Sequence, residues 1–120
     1  MMDFKKLIVW EKSHKLVLEI YNISKSFPAD ELYGLTGQIR RAAVSIPNNM
    51  AEGCGRNSET ELNRFFTISM GSASEVEYLL LLSKDLNYIN QNQYEILNNK
   101  IVEIKKMMSA YSAKIRQSKV

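Results

Sequence analysis

Apolar residues recur every three or four positions along almost the whole chain, which is the spacing of one face of an α-helix. In the first such segment, Val9, Leu16 and Ile23 repeat at seven-residue intervals and predict a helix from Ile8 to Ser26. Pro28 ends this helix, because the residue before a proline is pushed out of the α-helical region. The apolar residues that flank this stripe are Trp10, Val17, Ile20 and Phe27.

A second helix is predicted after Asp30, which is a favourable N-cap residue. The apolar seam of this helix comprises Leu32, Leu35, Ile39, Ala42 and Ile46. Gly53 is predicted as the left-handed residue that ends it. Pro47 lies inside the pattern, where a proline costs about 3 kcal/mol in a helix interior. We therefore expect the segment to do more than fill a core, and Pro47 to kink the helix and direct residues 49–53 at a neighbouring element.

Two further helices follow, each with its own start signal. Ser58 and Glu61 form a capping-box pattern at the start of the third helix. The residues predicted on its buried side are Leu62, Phe65, Phe66, Ala73, Val76, Leu79, Leu80 and Leu86. The polar segment from residue 87 to 92 predicts a turn, with Asn90 and Gln93 as a weaker second cap. The fourth helix carries an unbroken apolar seam of Tyr94, Leu97, Ile101, Ile104, Met108, Tyr111 and Ile115.

Four amphipathic helices joined by short connections form a single antiparallel arrangement, because short loops make sequential helices neighbours. The sequence thus predicts an all-α fold, an up-down-up-down four-helix bundle, as one domain over residues 1–120. Hydrophobic residues at 45% and charged residues at 24% are ordinary values for a globular domain. No strand pattern, linker, internal repeat or low-complexity tract interrupts the helical pattern.

Composition indicates the cellular environment in which the chain is expected, and it says less about what the chain binds. The longest wholly apolar run, residues 79–82, is far shorter than the roughly 20 residues of a membrane helix, so no membrane association is expected. The first residues lack the pattern of a secretory signal peptide. A single cysteine, Cys54, fits a reducing cytoplasm. A net charge of +3 and a pI near 9.0 permit nucleic-acid binding without requiring it.

Candidate catalytic residues are few. His14 is the only histidine and is interpreted as a solvated or packing residue. Cys54 lies between two glycines near a helix start, which leaves a reactive thiol as a minor alternative. Glu75 and Glu77 are two positions apart and point to different faces of a helix, so they do not form an acid–base pair. The sequence therefore predicts no enzyme, no metal site and no cofactor.

Basic residues form the first candidate surface. Arg40 and Arg41 lie off the apolar seam, on the outer side of the second helix, while Arg56 and Arg64 share one end of the bundle. Two interpretations stand: a solvated face with helix-end cations, or a surface that contacts phosphates without reading sequence. Nothing in the sequence indicates a recognition helix or an aromatic stacking platform. A basic stretch in the fourth helix adds Lys105, Lys106, Lys114, Arg116 and Lys119.

Small and polar residues form the second candidate surface. Gln38, Ser45 and Glu52 recur every seven residues beside the apolar seam, and Asn49 lies next to them. A polar stripe of this kind is more typical of an interface than of an active site, so self-association is favoured over a monomer. Small residues that allow close helix approach, within the bundle or between copies, are Gly34, Gly37, Ala42, Ala43, Ser45 and the segment 71–74.

The whole chain resembles one bacterial family, the four-helix bundle proteins encoded within intervening sequences of large-subunit ribosomal RNA genes. The match is densest in the second helix. The residues that carry the resemblance are Trp10, Phe27-Pro28, Glu31, Leu35-Thr36, Gln38-Ile39-Arg40-Arg41-Ala42, Ser45-Ile46-Pro47, Asn49, Ala51-Glu52-Gly53, Arg56, Phe65, Gly71-Ser72 and Glu75.

This resemblance implies a ring-like homopentamer. A related branch, the accessory variability determinants of diversity-generating retroelements, implies binding to nucleic acid and to a reverse transcriptase. Two hypotheses follow. In the first, the chain is an oligomeric RNA- or DNA-binding accessory protein that contacts phosphates through Arg40, Arg41, Arg56 and Arg64. In the second, it is a protein-interaction scaffold, without direct nucleic-acid contact, that assembles through Gln38, Ser45, Asn49 and Glu52 and docks a partner such as a polymerase.

Overall fold

The computed structural model describes residues 2–117 and contains four α-helices in this range. They are α1 (Ile8–Ser24), α2 (Leu35–Cys54), α3 (Glu59–Asp85) and α4 (Gln91–Gln117). Short 3₁₀ turns, Phe4–Lys6 and Ala29–Glu31, precede α1 and α2. Residues 2–117 contain no β-strand, which confirms the predicted all-α fold.

The helices form a closed ring of neighbours in antiparallel order. Helix α1 packs against α2 and α4, and α3 packs against α2 and α4, whereas the diagonal pairs make no backbone contact within residues 2–117. Two ion pairs between α1 and α4 show that these helices run antiparallel. Lys12 pairs with Glu103 (3.0 Å), whereas Glu19, later in α1, pairs with Lys100 (2.6 Å), earlier in α4. These contacts confirm the up-down-up-down four-helix bundle.

Helices α2 and α3 pack closely at Gly53. A Cβ atom on this glycine would lie 2.9 Å from the Cβ of Phe65 and 3.2 Å from the carbonyl oxygen of Leu62. Gly53 is buried inside α2, and the C-cap is Gly55 in a right-handed conformation. The prediction of Gly53 as a left-handed end residue was therefore wrong, because tertiary packing and not helix termination requires a residue without a side chain there.

The start of α2 also differs from the prediction. Residues 29–31 form a 3₁₀ turn, and α2 begins only at Leu35, so Asp30 is not its N-cap. The carboxylate of Glu31 accepts a hydrogen bond from the Leu35 amide (3.2 Å), which satisfies one of the free donors of the first turn. Leu32 lies before the helix and is 50% exposed, so it is not part of the buried seam.

Local caps fix the ends of α3 and α4. The Ser58 hydroxyl accepts the Glu61 amide (3.1 Å), which is one of the two bonds of the predicted capping box. The second bond is not present within residues 2–117, because the Glu61 carboxylate pairs with Arg64 (2.9 Å). The box at Asn90 and Gln93 is complete, because each side chain accepts the other residue's backbone amide (2.8 and 2.9 Å). Asn87 adopts a left-handed conformation (φ 64°) after α3, which a short polar side chain tolerates.

The core follows the predicted seams except at Leu32 and Leu86, and one helix end also differs. Helix α1 ends at Ser24, two residues early, because the amides of Ser26 and Phe27 bond to carbonyls three residues back. Leu86, predicted as buried, is 44% exposed because it follows the last turn of α3. The largest fully buried side chains are Phe66, Leu16, Ile20, Ile39, Ile46, Met50, Leu79, Leu80, Ile101, Ile104, Met108 and Val76.

Pro47 is buried within α2, which continues on both sides of it as one α-helix. Among residues 2–117, no helix is both long enough and apolar enough to cross a membrane.

Candidate nucleic-acid and assembly surfaces

Arg40 binds the C-terminal end of α1. Its Nε donates to the hydroxyl of Ser24 (2.8 Å), one terminal nitrogen donates to the carbonyl of Tyr21 (3.3 Å), and the guanidinium lies 4.8 Å from the Tyr21 ring centroid. A cation at the C-terminus of a helix is favourable because free carbonyls point outward there. Arg40 therefore stabilises the α1–α2 contact, and a role in phosphate contact stays a prediction.

Arg41, the next residue, is in the opposite situation. Its side chain is exposed and makes no ion pair or hydrogen bond to any residue from 2 to 117. Its guanidinium lies over Gly37, where a Cβ would come within 2.9 Å of one terminal nitrogen. Because Arg41 has no hydrogen-bond or ion-pair partner among these described residues, its charge is available to an external anion.

Arg56 and Arg64 form a separate pair at the end of the bundle where α2 meets α3. Both guanidinium groups lie over the ring of Phe65, at 4.9 and 4.6 Å from its centroid. Arg56 pairs with Glu52 (3.8 Å) and Arg64 with Glu61 (2.9 Å). The hydrogen bond from Arg64 lowers the pKa of the Glu61 carboxyl, so this acid is charged at neutral pH and offsets Arg64.

The four predicted arginines therefore form two pairs and not one patch. Arg41 and Arg56 are 15 residues apart, a distance of about 20 Å along a helix. On α4, Lys105 pairs with Glu77 (2.7 Å), whereas Lys106, Lys114 and Arg116 make no ion pair within the described range. Lys119 lies outside the described residues.

The predicted polar stripe lies on the outer edge of the α2–α3 seam. Gln38 donates to the carboxylate of Glu75 (3.4 Å), and Ser45 accepts the hydroxyl of Ser72 (2.8 Å), both across to α3. Asn49 donates to the carbonyl and hydroxyl of Ser45 (2.8 and 2.9 Å). Glu52 completes the stripe with its pair to Arg56. The stripe thus stabilises the seam within one chain, and its role in self-association stays a prediction.

The outer face of α3 adjoins this stripe and is partly apolar. Ile68, Tyr78 and Leu81 are 40, 58 and 38% exposed, and Gly71 lies between them with no atom near the position of a Cβ. Spacings of three and seven residues place all four on one side of the helix. A glycine in an exposed helix interior costs about 1 kcal/mol relative to alanine. Since a side chain at position 71 would meet no neighbouring atom, packing inside the chain does not explain why this residue is a glycine.

Cys54 is buried at the end of α2. It is 2% exposed, and burial, followed by the charge of Asp3, raises the pKa of its thiol. A thiol of this kind is a poor nucleophile at neutral pH because the reactive form is the thiolate. Across residues 2–117, no group of three or more His, Cys, Asp and Glu side chains is arranged to hold a metal ion.

The sequence did not predict an aromatic cluster at the N-terminal end of the bundle. The rings of Trp10 and His14 stack at 5.1 Å with an angle of 6°, and Phe4 meets Trp10 edge-on at 4.9 Å. These rings line a cavity of about 340 Å³ between α1 and α2, whose opposite wall includes Pro47 and Asn48. The only sequence signal was the four-residue spacing of Trp10 and His14, which places them on one helix face.

Comparison with known proteins identifies relatives of this bundle. Its chain matches the family model described as 23S rRNA-intervening sequence protein over residues 5–110. A crystal structure of a protein with unknown function from the S23 ribosomal protein family of Bacteroides thetaiotaomicron is 30% identical, with a TM-score of 0.81, and the match covers 88% of this chain and 98% of that one. No curated protein matches the chain. The length of the family match and the shared fold establish that the chain belongs to the 23S rRNA-intervening sequence protein family.

Proposed function

We propose that this protein is a non-enzymatic, oligomeric accessory protein of the cytoplasm that binds nucleic acid, RNA in the first place, through its phosphates. The observation that carries this proposal is the free guanidinium of Arg41 beside Arg40 on the outer side of α2. A cation without a carboxylate partner in the described residues attracts an external anion, and a planar guanidinium can bind a phosphate through two parallel hydrogen bonds.

Arg56 and Arg64 contribute as a second contact. They are held on the Phe65 ring, so their side chains are already ordered before a ligand arrives. Glu52 and Glu61 lower their attraction for phosphate, because a ligand has to compete with two carboxylates. We therefore expect Arg41 to contribute more to affinity than either of these two arginines.

The test is the salt dependence of binding to a fluorescently labelled, structured RNA. For the quadruple variant with Gln at Arg40, Arg41, Arg56 and Arg64, the slope of log K against log salt falls by about one for each lost phosphate contact. The single variant Arg41→Gln keeps the test informative if the quadruple variant unfolds, because it breaks no internal contact. Unchanged affinity and slope in both would contradict the proposal.

A matched control removes the same charge elsewhere. The variant replaces four cations that already have carboxylate partners, Lys12, Lys15, Lys84 and Lys100, with Gln. We expect a smaller change in affinity and slope than for the four arginines. An equal change would show that binding depends on overall charge and not on these arginines.

Self-association is the second part of the proposal, supported by the outer face of α3. Exposed apolar side chains at Ile68, Tyr78 and Leu81 around an open Gly71 allow the backbone of another copy to approach closely. Gln38, Ser45, Asn49 and Glu52 border this face and would form its polar rim. A pentamer, as the family resemblance implies, is the expected state.

Light scattering after size exclusion tests the assembly. Tyr78→Lys is expected to lower the molar mass, because it places a charge in the apolar face. Tyr33→Lys is the matched control, since Tyr33 is 94% exposed in the connection between α1 and α2 and is not part of the α3 helix. A monomeric wild type would refute self-association, and loss of assembly only in Tyr33→Lys would refute this face.

The alternative function is a scaffold that docks a protein such as a reverse transcriptase without touching nucleic acid. The same apolar face on α3 favours it, because a partner protein can occupy a surface of this kind. Assembly together with a complete lack of RNA binding at low salt would favour the scaffold.

A further inference from the structure

We propose that the cavity between α1 and α2 binds an unpaired base of single-stranded nucleic acid. This inference rests on the nucleic-acid binding proposed above and adds a preference for single strands. The cavity has a volume of about 340 Å³ and is lined by eight residues, none of them acidic. The cavity is shallow and open to solvent.

Aromatic rings form one wall of the cavity. Trp10 and His14 are nearly parallel, with an angle of 6° between the planes, and His14 is the exposed member of the pair. Phe4 supports Trp10 from the side at a centroid distance of 4.9 Å. A base that stacks on this pair extends an existing stack, which is the usual way in which proteins hold unpaired bases.

A polar group stands on the opposite wall. Asn48 is exposed, lines the cavity and makes no hydrogen bond to any residue from 2 to 117. Its amide offers two donors and one acceptor, which suits the mixed donors and acceptors of a base edge. Val44 and Pro47 complete this wall with apolar surface. One hydrogen-bonding group beside an aromatic wall distinguishes the site from a purely apolar groove.

Charge around the cavity is complementary to a phosphate backbone. The ammonium group of Lys5 lies 5.9 Å from the ring centroid of Phe4, at the edge of the cavity. Neither Lys5 nor its neighbour Lys6 makes an ion pair within the described part of the chain. On α2, Arg41 is on the same side as Val44 and Asn48, because it precedes them by three and seven residues. Lys5 therefore borders the base site, whereas the guanidinium of Arg41 lies farther along α2, over Gly37.

The emission of Trp10 provides a direct test, because it is the only tryptophan in the chain. Titration of the full-length protein with an unlabelled single-stranded RNA 12-mer is expected to quench this emission. In parallel, the anisotropy of a labelled 12-mer gives the affinity without reference to the cavity. His14→Ala and Asn48→Ala each lower that affinity by about tenfold, the usual effect of losing one stacked or hydrogen-bonded base contact. Both side chains are exposed, so folding is retained.

Asn99→Ala is the matched control, since Asn99 is an exposed asparagine on α4, away from the cavity. It leaves both affinity and quenching unchanged. Binding of the 12-mer without quenching, or with equal affinity in His14→Ala and Asn48→Ala, refutes the base site and leaves phosphate binding standing. Equal affinity for a duplex of the same length also refutes it.

Two other outcomes separate the remaining cases. If neither the 12-mer nor structured RNA binds at low salt, the proposed function and the base site are both wrong. If the emission of Trp10 changes on dilution without RNA, a second copy of the chain occupies the cavity, and the base site is refuted.

Discussion

Gly53 and Phe65 pack closely across the contact of α2 with α3: a Cβ atom on Gly53 would lie 2.9 Å from the Cβ of Phe65. The same atom would also meet the carbonyl oxygen of Leu62 at 3.2 Å. Neither neighbour is the free end of a flexible side chain. The glycine therefore sets the spacing of α2 and α3 at the end of the bundle that carries Arg56 and Arg64.

Gly53→Ala is expected to destabilise the protein by about 1–3 kcal/mol, because the added methyl group forces the helices apart. The free energy of unfolding in urea measures the change. Gly71→Ala is the matched control on α3, where no atom lies within 4 Å of a new Cβ. Compared on the Tyr78→Lys background, where no second copy covers the α3 face, it should stabilise the fold by up to about 1 kcal/mol through helix propensity alone. Equal effects of the two variants would contradict the close-packing argument.

Arg40→Ala should destabilise the bundle by about 1–2 kcal/mol, because it removes charged hydrogen bonds to Ser24 and Tyr21. Arg41→Ala, one residue later, should change the free energy of unfolding by less than about 0.5 kcal/mol, since it breaks no internal contact. Thermal unfolding of the two variants under identical conditions measures the difference. If Arg41→Ala lost more stability than Arg40→Ala, the conclusion that Arg40 and not Arg41 supports the fold would be wrong.

The thiol of Cys54 should react slowly with iodoacetamide in the folded protein. Burial raises its pKa, so the thiolate is scarce at neutral pH, and the side chain is only 2% exposed. We expect a rate at pH 7.5 at least roughly tenfold below that of the urea-unfolded chain, rising steeply only above the ordinary thiol pKa of about 8.5. Rapid labelling of the folded chain at pH 7.5 would revive the reactive-thiol alternative.

The hydrogen bond from Tyr88 to Glu31 (2.9 Å) predicts a pH-dependent contribution to stability. This bond, with the nearby negative charge, raises the pKa of the Tyr88 phenol, so the folded state favours the protonated form. Its contribution is complete below the ordinary tyrosine pKa of about 10 and disappears as pH rises through the higher folded value. The stability difference between wild type and Tyr88→Phe should therefore be constant from pH 7 to 9 and shrink above pH 10. A difference that grows above pH 10 would contradict this.

The helix ends show which structural features can be predicted from local sequence. The Asn90 cap forms in full, because a capping box needs only residues three positions apart. The predicted Ser58 box forms only in part, since the Glu61 carboxylate binds Arg64 instead. The start of α2 was misplaced by several residues, since Glu31 reaches forward to cap Leu35 and also accepts the Tyr88 hydroxyl from a distant turn. A contact of that kind depends on where α3 ends in space.

For the candidate surfaces, too, the sequence predicted the positions of residues and the structure decided their contacts. Periodicity placed Arg40 and Arg41 outside the seam, and the structure distinguishes them, because only Arg40 reaches the last turn of α1. The sequence also predicted that Arg56 and Arg64 lie at one end of the bundle. The structure adds that both guanidinium groups lie over the ring of Phe65. The stack of Trp10 on His14 lies within one helix, but the cavity beside it exists only because α2 brings Pro47 and Asn48 opposite.

The sequence by itself determined the all-α fold, the number and order of the helices and most of the buried seam, because these follow from apolar spacing and from short loops. Only the tertiary structure decided why Gly53 is a glycine, which arginines are engaged and where an open cavity forms. Those properties depend on distances between side chains of different helices, and the spacing of residues along one helix carries no information about them.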